Sequence, residues 1–163
     1  RSAAQAGDRI VATGAFGGSI LGRHLDFEPR IAEALRLAER YDLHAGIDVS
    51  DGLSIDLARL AAESGCGAVL DPLAVPIAPD AHRLAERLAD GSTALEHALS
   101  DGEDFELLLA VPPDQAEKML AEQPLAVPLS GIGEFVAEPG LWQVDAAGRR
   151  SPLVPKGYQH EFT

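Results

Sequence analysis

The sequence predicts an α+β fold in which helices pack on a mixed sheet. Strand-like and helix-like segments mix without the strict alternation that a doubly wound parallel sheet requires. Apolar residues recur at three- and four-residue steps in some stretches and form short Gly- or Pro-bounded runs in others. At 163 residues the chain suits one domain, 1–163, whose core needs no covalent staples.

The first strand is expected at Arg9–Thr13, ending at Gly14. Gly17, Gly18 and Gly22 surround Ser19-Ile20-Leu21, the pattern of a glycine turn opening a short helix. Pro29 bounds a helix whose apolar stripe is Ile31, Leu35 and Ala38, with Ala34 and Tyr41 beside it. Ala45–Val49 reads as a strand broken by Ser50-Asp51-Gly52. A second helix follows to about Ser64, with Leu53, Leu57, Leu60 and Ala61 on its apolar face and Gly65 as its stop. Gly67–Asp71 is strand-like, and a loop marked by Pro72, Pro76 and Pro79 leads to one or two helices across Ala81–Leu99. Phe105–Val111 is the strongest strand, stopped by Pro112-Pro113. A helix over Asp114–Gln123 and strands over Val127–Glu134 and Leu141–Val144 complete the pattern. The tail from Arg149 reads as an extended arm lying over the surface.

Composition closes several routes. A net charge of −13 argues against nucleic acid, whose phosphates demand a basic face. An acidic chain still handles polyphosphate when Mg²⁺ stands between its carboxylates and the ligand. Lys118 and Lys156 are the two lysines, and neither sits in a Gly-rich loop of the P-loop kind. No apolar run approaches the roughly 20 residues of a membrane span. Cys66 has no cysteine to pair with, and no signal or transit pattern opens the chain, so a reducing, cytoplasmic setting is expected. The chain starts at Arg1 and its one methionine is Met119, from which a missing upstream piece is expected.

The most informative segment is Ile47-Asp48-Val49-Ser50-Asp51-Gly52-Leu53. Strand alternation turns Asp48 and Ser50 to one face, with Asp51 at the start of the next helix. Two carboxylates and a hydroxyl suit a Mg²⁺ that takes its other oxygens from phosphate and water, and helix-start amides can face a phosphate. Ser50 or Asp51 serves equally as an ordinary N-cap contributing about 1 kcal/mol. Asp48, an acid ending an apolar strand, needs a partner in either case.

A second acidic segment, Ser100-Asp101-Gly102-Glu103-Asp104-Phe105-Glu106, holds four carboxylates that repel unless solvated or bridged by a cation. Gly14, Gly17, Gly18 and Gly22 either bring bare backbone to a phosphate or simply turn the chain; their spacing is not a dinucleotide fingerprint. Arg30 either pairs with a phosphate or begins a helix. His44, His82 and His97 lack metal-ligand spacing and read as structural, and His24 and His160 carry no assignable role. No Ser/His/Asp or Cys/His arrangement is legible.

Taken in order, these motifs resemble the C-terminal domain of the thiamine-monophosphate kinases, in the AIR-synthetase-like superfamily. The matching pieces are Gly7–Val11, Thr13–Gly22, His24 with Pro29-Arg30, Ile47–Leu53, Gly102–Leu107 and Lys156-Gly157-Tyr158-Gln159-His160. The resemblance implies an AIR-synthetase C-terminal-domain-like fold with partial ferredoxin-like topology. It implies ATP-dependent phosphorylation of thiamine monophosphate to thiamine diphosphate, with ATP as co-substrate, Mg²⁺ as cofactor and no side-chain acid or base. Asp48 and Asp51 become the Mg²⁺ ligands, Ser50 an ATP contact, and Glu103 and Tyr158 substrate contacts. A homodimer built mainly through an N-terminal nucleotide- and metal-binding domain is implied as well, and that half is expected to be missing from these 163 residues. This chain alone is therefore expected to be inactive. Phe105 stands where many relatives have Tyr, a change expected to touch packing alone. Two other readings remain: a sister enzyme of purine or selenophosphate type, and a non-catalytic module binding phosphate and Mg²⁺.

Overall fold

The computed structural model describes residues 2–158. Strands β1 (Arg9–Thr13), β2 (Ala45–Asp48), β3 (Gly67–Leu70), β4 (Leu107–Val111), β5 (Leu129–Val136), β6 (Gly140–Val144) and β7 (Arg150–Pro152) form one mixed sheet. Helices α1 (Ile31–Arg40), α2 (Leu53–Glu63), α3 (Pro79–Leu88), α4 (Ala94–Ser100) and α5 (Pro113–Glu122) connect them. The strand order is β2-β4-β1-β5-β3-β6-β7, antiparallel throughout except for the parallel pair β3–β6.

The ferredoxin-like expectation is met by part of this order. The sequence β1-α1-β2 … β4-α5-β5 lays its strands side by side as β2-β4-β1-β5, the spatial order of a βαββαβ unit. Between β2 and β4 the chain inserts α2, β3, α3 and α4. β3 then extends the sheet beyond β5, and β6 and β7 follow it.

Strand alternation decides the layers. Ile10, Ala12, Ile47, Leu108 and Ala110 face one core, where α2 supplies Leu53, Leu57 and Leu60 and α4 supplies Ala98. Val11, Leu109 and Val111 face the other, under Leu37 of α1 and Ala116 and Met119 of α5. Two helical layers thus sandwich the sheet. The apolar face expected of α2 is buried, and Gly65 ends that helix with φ 70°.

Helix α1 departs from expectation. Its stripe turns outward, with Ile31 66% and Leu35 61% exposed, while Leu37 and Tyr41 hold it to the sheet. Ile31, Ala34 and Leu35 instead wall a cleft of about 510 Å³ beside the edge strand β2, together with Phe27, Asp48 and Phe105. Two further shifts are local. The helix expected after Gly17-Gly18 is a pair of single 3₁₀ turns, Ser19–Leu21 and Arg23–Leu25. The extended arm contains β7, which pairs with β6 through Trp142–Pro152 to Val144–Arg150. Among the described residues no helix is long and apolar enough to cross a membrane. Cys66 is a buried free thiol whose pKa burial pushes up. His160 lies outside the described residues.

Candidate functional site

β2 and β4 run antiparallel, so the end of one meets the start of the other. Their pairing continues past the regular ladder: Val49 N–H donates to Glu106 O, Phe105 N–H to Val49 O and Glu103 N–H to Ser50 O, each at 2.8 Å. The two acidic segments, far apart in sequence, are therefore adjoining loops at one end of the sheet. The tail joins them there. Tyr158 N–H donates to Asp51 O at 2.8 Å, and Ser54 Oγ donates to Lys156 O and accepts from Lys156 N–H, both at 2.9 Å. Asp48, Ser50, Asp51, Glu103 and Tyr158 thus belong to segments that one hydrogen-bonded junction holds together.

The acids of the first segment differ in surroundings. Asp48 ends β2 as an exposed residue and lines the cleft on the α1 side. Asp51 is ion-paired to Arg59 of α2. Neither Ser50 nor Asp51 caps that helix, since the N-cap is Gly52. The amides of Ser50, Asp51 and Gly52, which could have faced a phosphate, all donate to Asp56 Oδ2 at 3.0, 2.9 and 3.2 Å. Asp56 is 1% exposed, so this nest already holds an internal anion. Its other oxygen accepts from Arg59 Nη1 at 2.9 Å. Arg59 is held more basic than usual, chiefly by its hydrogen bond to Asp51. Asp56 and Arg59 escaped the sequence reading, although an acid and an arginine three apart on a helix are the signal that could have found them.

The second segment is not a cluster of solvated acids. Asp104 accepts from Gly17 N–H at 2.9 Å and from Arg23 Nη2 at 2.5 Å. Asp101 accepts from Gly18 N–H at 2.9 Å. Glu106 accepts a bidentate pair from Arg30, at 2.9 and 2.8 Å, and a hydroxyl from Thr13 at 2.6 Å. The glycine loop is therefore a turn gripped by these carboxylates, with Gly17 and Gly18 amides already committed. Gly17, at φ 91°, has no room for a side chain, because a Cβ would lie 2.6 Å from the Ala98 nitrogen. Arg30 binds a carboxylate instead of a phosphate, and Glu106 raises its pKa further.

Burial pushes the Asp104 carboxyl up to about 7, against the opposing pull of the Gly17 amide and Arg23. Of this segment's four acids, Glu103 is the exposed one. It sits at φ 53°, as does Phe105, and non-glycine residues in this region store local strain. Phe105 spends its ring on Phe27, stacked with centroids 3.9 Å apart, so its lack of a hydroxyl fits a packing role.

A Ser/His/Asp line does exist in space. Ser92 Oγ lies 3.0 Å from His97 Nε2, and His97 Nδ1 lies 2.9 Å from Asp101 Oδ1. Ser92 has one proton to give, and Asp90 Oδ1 accepts it at 2.6 Å. That carboxylate would also repel any oxyanion forming there. The line clamps a loop, and His97 is structural as expected. His44 pairs with Asp8, and His24 Nδ1 lies 2.8 Å from Ser19 O.

Mg²⁺ is suited by hard oxygen donors and commonly uses one or two carboxylates, with phosphate and water completing its shell. Asp48 and Asp51 each carry oxygen donors of that kind, Asp48 in the cleft on the α1 side and Asp51 beside Arg59 of α2. Among the described residues no three His, Cys, Asp or Glu side chains are grouped to hold a metal by themselves.

Residues 11–142 match the family described as AIR synthase related protein, C-terminal domain, and the chain belongs to that family. Within it, the chain is 44% identical over 163 residues to a thiamine-monophosphate kinase from Rhodopirellula baltica, covering 100% of this chain and 51% of that protein. A structure described as AaThiL complexed with AMPPCP and TMP superposes with a TM-score of 0.74 at 25% identity, over 98% of this chain and 53% of that one. The hydrogenase maturation protein HypE of E. coli superposes at 0.73 and 26% identity, over 95% and 51%. This chain spans about half the length of the curated relatives it matches.

Proposed function

We propose that this chain is the C-terminal part of an ATP-dependent kinase that converts thiamine monophosphate to thiamine diphosphate. The reading rests above all on the junction: the five residues expected at the site lie on three separate segments tied by backbone hydrogen bonds. The 44% identity to a thiamine-monophosphate kinase supports the substrate. The fold alone does not choose, because HypE superposes nearly as well as AaThiL.

The acceptor is a phosphate monoester whose second pKa is about 6, so its attacking oxygen is already ionised at neutral pH. No general base is required. The task is to bring two anions into line and to balance charge as the phosphoryl group moves. Asp48 and Asp51 would hold Mg²⁺, which when bound supplies the positive charge that screens the phosphates. Ser50 would orient ATP, and exposed Glu103 and Tyr158 would grip the cationic thiamine ring by charge and cation–π attraction. The nucleotide and further metal contacts would come from an N-terminal half, which would also carry the homodimer contacts. Without that half, these 163 residues would fold but not turn over.

The test is an acceptor panel on the complete protein with ATP and Mg²⁺. Thiamine monophosphate should yield thiamine diphosphate, while purine-pathway and selenide acceptors yield nothing. Turnover of one of those instead would overturn the reading. Asp51→Asn should shift the Mg²⁺ dependence by about 10–100-fold, the usual scale for disturbing a metal's surroundings.

A further inference from the structure

Arg59 has a place in this site that the reaction so far leaves unused. Its Nη1 contacts Asp51 and Asp56 together. The two contacts are unequal in freedom. Asp56 is buried and locked by three amides, so its half of the bridge cannot follow a moving partner. The Asp51 and Arg59 side chains are 23% and 42% exposed, so that half can open.

We infer that Arg59 is a built-in counter-ion for Asp51, neutralising that carboxylate until a divalent cation displaces it and thereby lowering the affinity for that cation. The inference rests on the metal role proposed for Asp51. A Mg²⁺ bound about 2.1 Å from the carboxylate oxygen would sit within a few ångströms of the guanidinium. Two cations that close repel, and the divalent one carries the larger charge. The Asp51–Arg59 contact is the one that yields. Asp56 keeps Arg59 tethered, so the guanidinium stays beside the site and re-forms the pair when the metal leaves.

The experiment measures Mn²⁺ binding, by electron paramagnetic resonance, to the complete protein without nucleotide. Asp51→Asn identifies the site that depends on Asp51. At that site Arg59→Gln should bind Mn²⁺ about fivefold more tightly, the scale of one exposed ion pair. Arg59→Lys keeps the charge and should stay nearer the wild type. High salt should narrow the difference between wild type and Arg59→Gln, because the pair is partly exposed. Equal or weaker binding by Arg59→Gln overturns the counter-ion role and leaves the metal role of Asp51 standing. Unchanged Mn²⁺ binding in Asp51→Asn removes the metal role itself. Thermal melts confirm that each variant is folded.

Discussion

Asp104→Asn probes the contest between burial and partners at the heart of the acidic loop. Its carboxyl has no exposed surface, and burial raises its pKa from an ordinary 3.8 to about 7. The Gly17 amide and Arg23 oppose that rise, while Asp101 and Glu106 add to it. A raised folded pKa means that the native state holds its proton more tightly than the unfolded chain. Stability from this group is therefore complete below pH 3.8 and lost as pH climbs through 7. Between pH 5 and 8 the unfolded group is already ionised, and linkage puts the loss at about 3 kcal/mol. Asn cannot titrate, so the wild type should lose about that much relative to the variant across this window. Urea unfolding of both proteins at several pH values measures the difference. A stability difference that stays flat from pH 5 to 8 would show that the Gly17 amide and Arg23 keep Asp104 ionised throughout.

Three other changes test the same framework. Arg30→Met strands the buried Glu106 carboxylate and should cost about 3–5 kcal/mol in chemical denaturation, with much of it recovered by adding Glu106→Gln. Gly102→Ala forces a side chain in at φ 73° and 2.8 Å from Ser50 O, prising the two acidic segments apart. Turnover of the complete protein should fall more than its melting point does; an unchanged rate would detach that junction from catalysis. Tyr158→Ala removes a 62% exposed ring and should raise KM for thiamine monophosphate with little change in melting temperature. A fall in kcat alone would place the ring elsewhere in the cycle.

Much of the secondary structure was legible because each element carries its own period. Leu53, Leu57 and Leu60 recur as a helix face, and Leu107–Val111 forms an apolar run closed by prolines. The outward turn of α1 was not legible. Ile31 and Leu35 form a good helical stripe, but periodicity says which residues share a face and not which face meets the sheet. The short β7 gave little signal either, since three residues including a proline become a strand only beside β6.

The candidate site divides along the same line. Sequence by itself determined the residue types and their local spacing: Asp48-Val49-Ser50-Asp51, the four acids from Asp101 to Glu106, and the glycines before them. Local chemistry is written in neighbouring residues, so those segments could be picked out. Tertiary structure alone decided the partner of each charge. It gave Asp104 to Gly17 and Arg23, Glu106 to Arg30, and the amide nest at α2 to Asp56, and it left Glu103 exposed. Such pairings depend on contacts across tens of residues, where burial makes an unpaired charge costly and the fold, not the spacing, says which opposite charge is near.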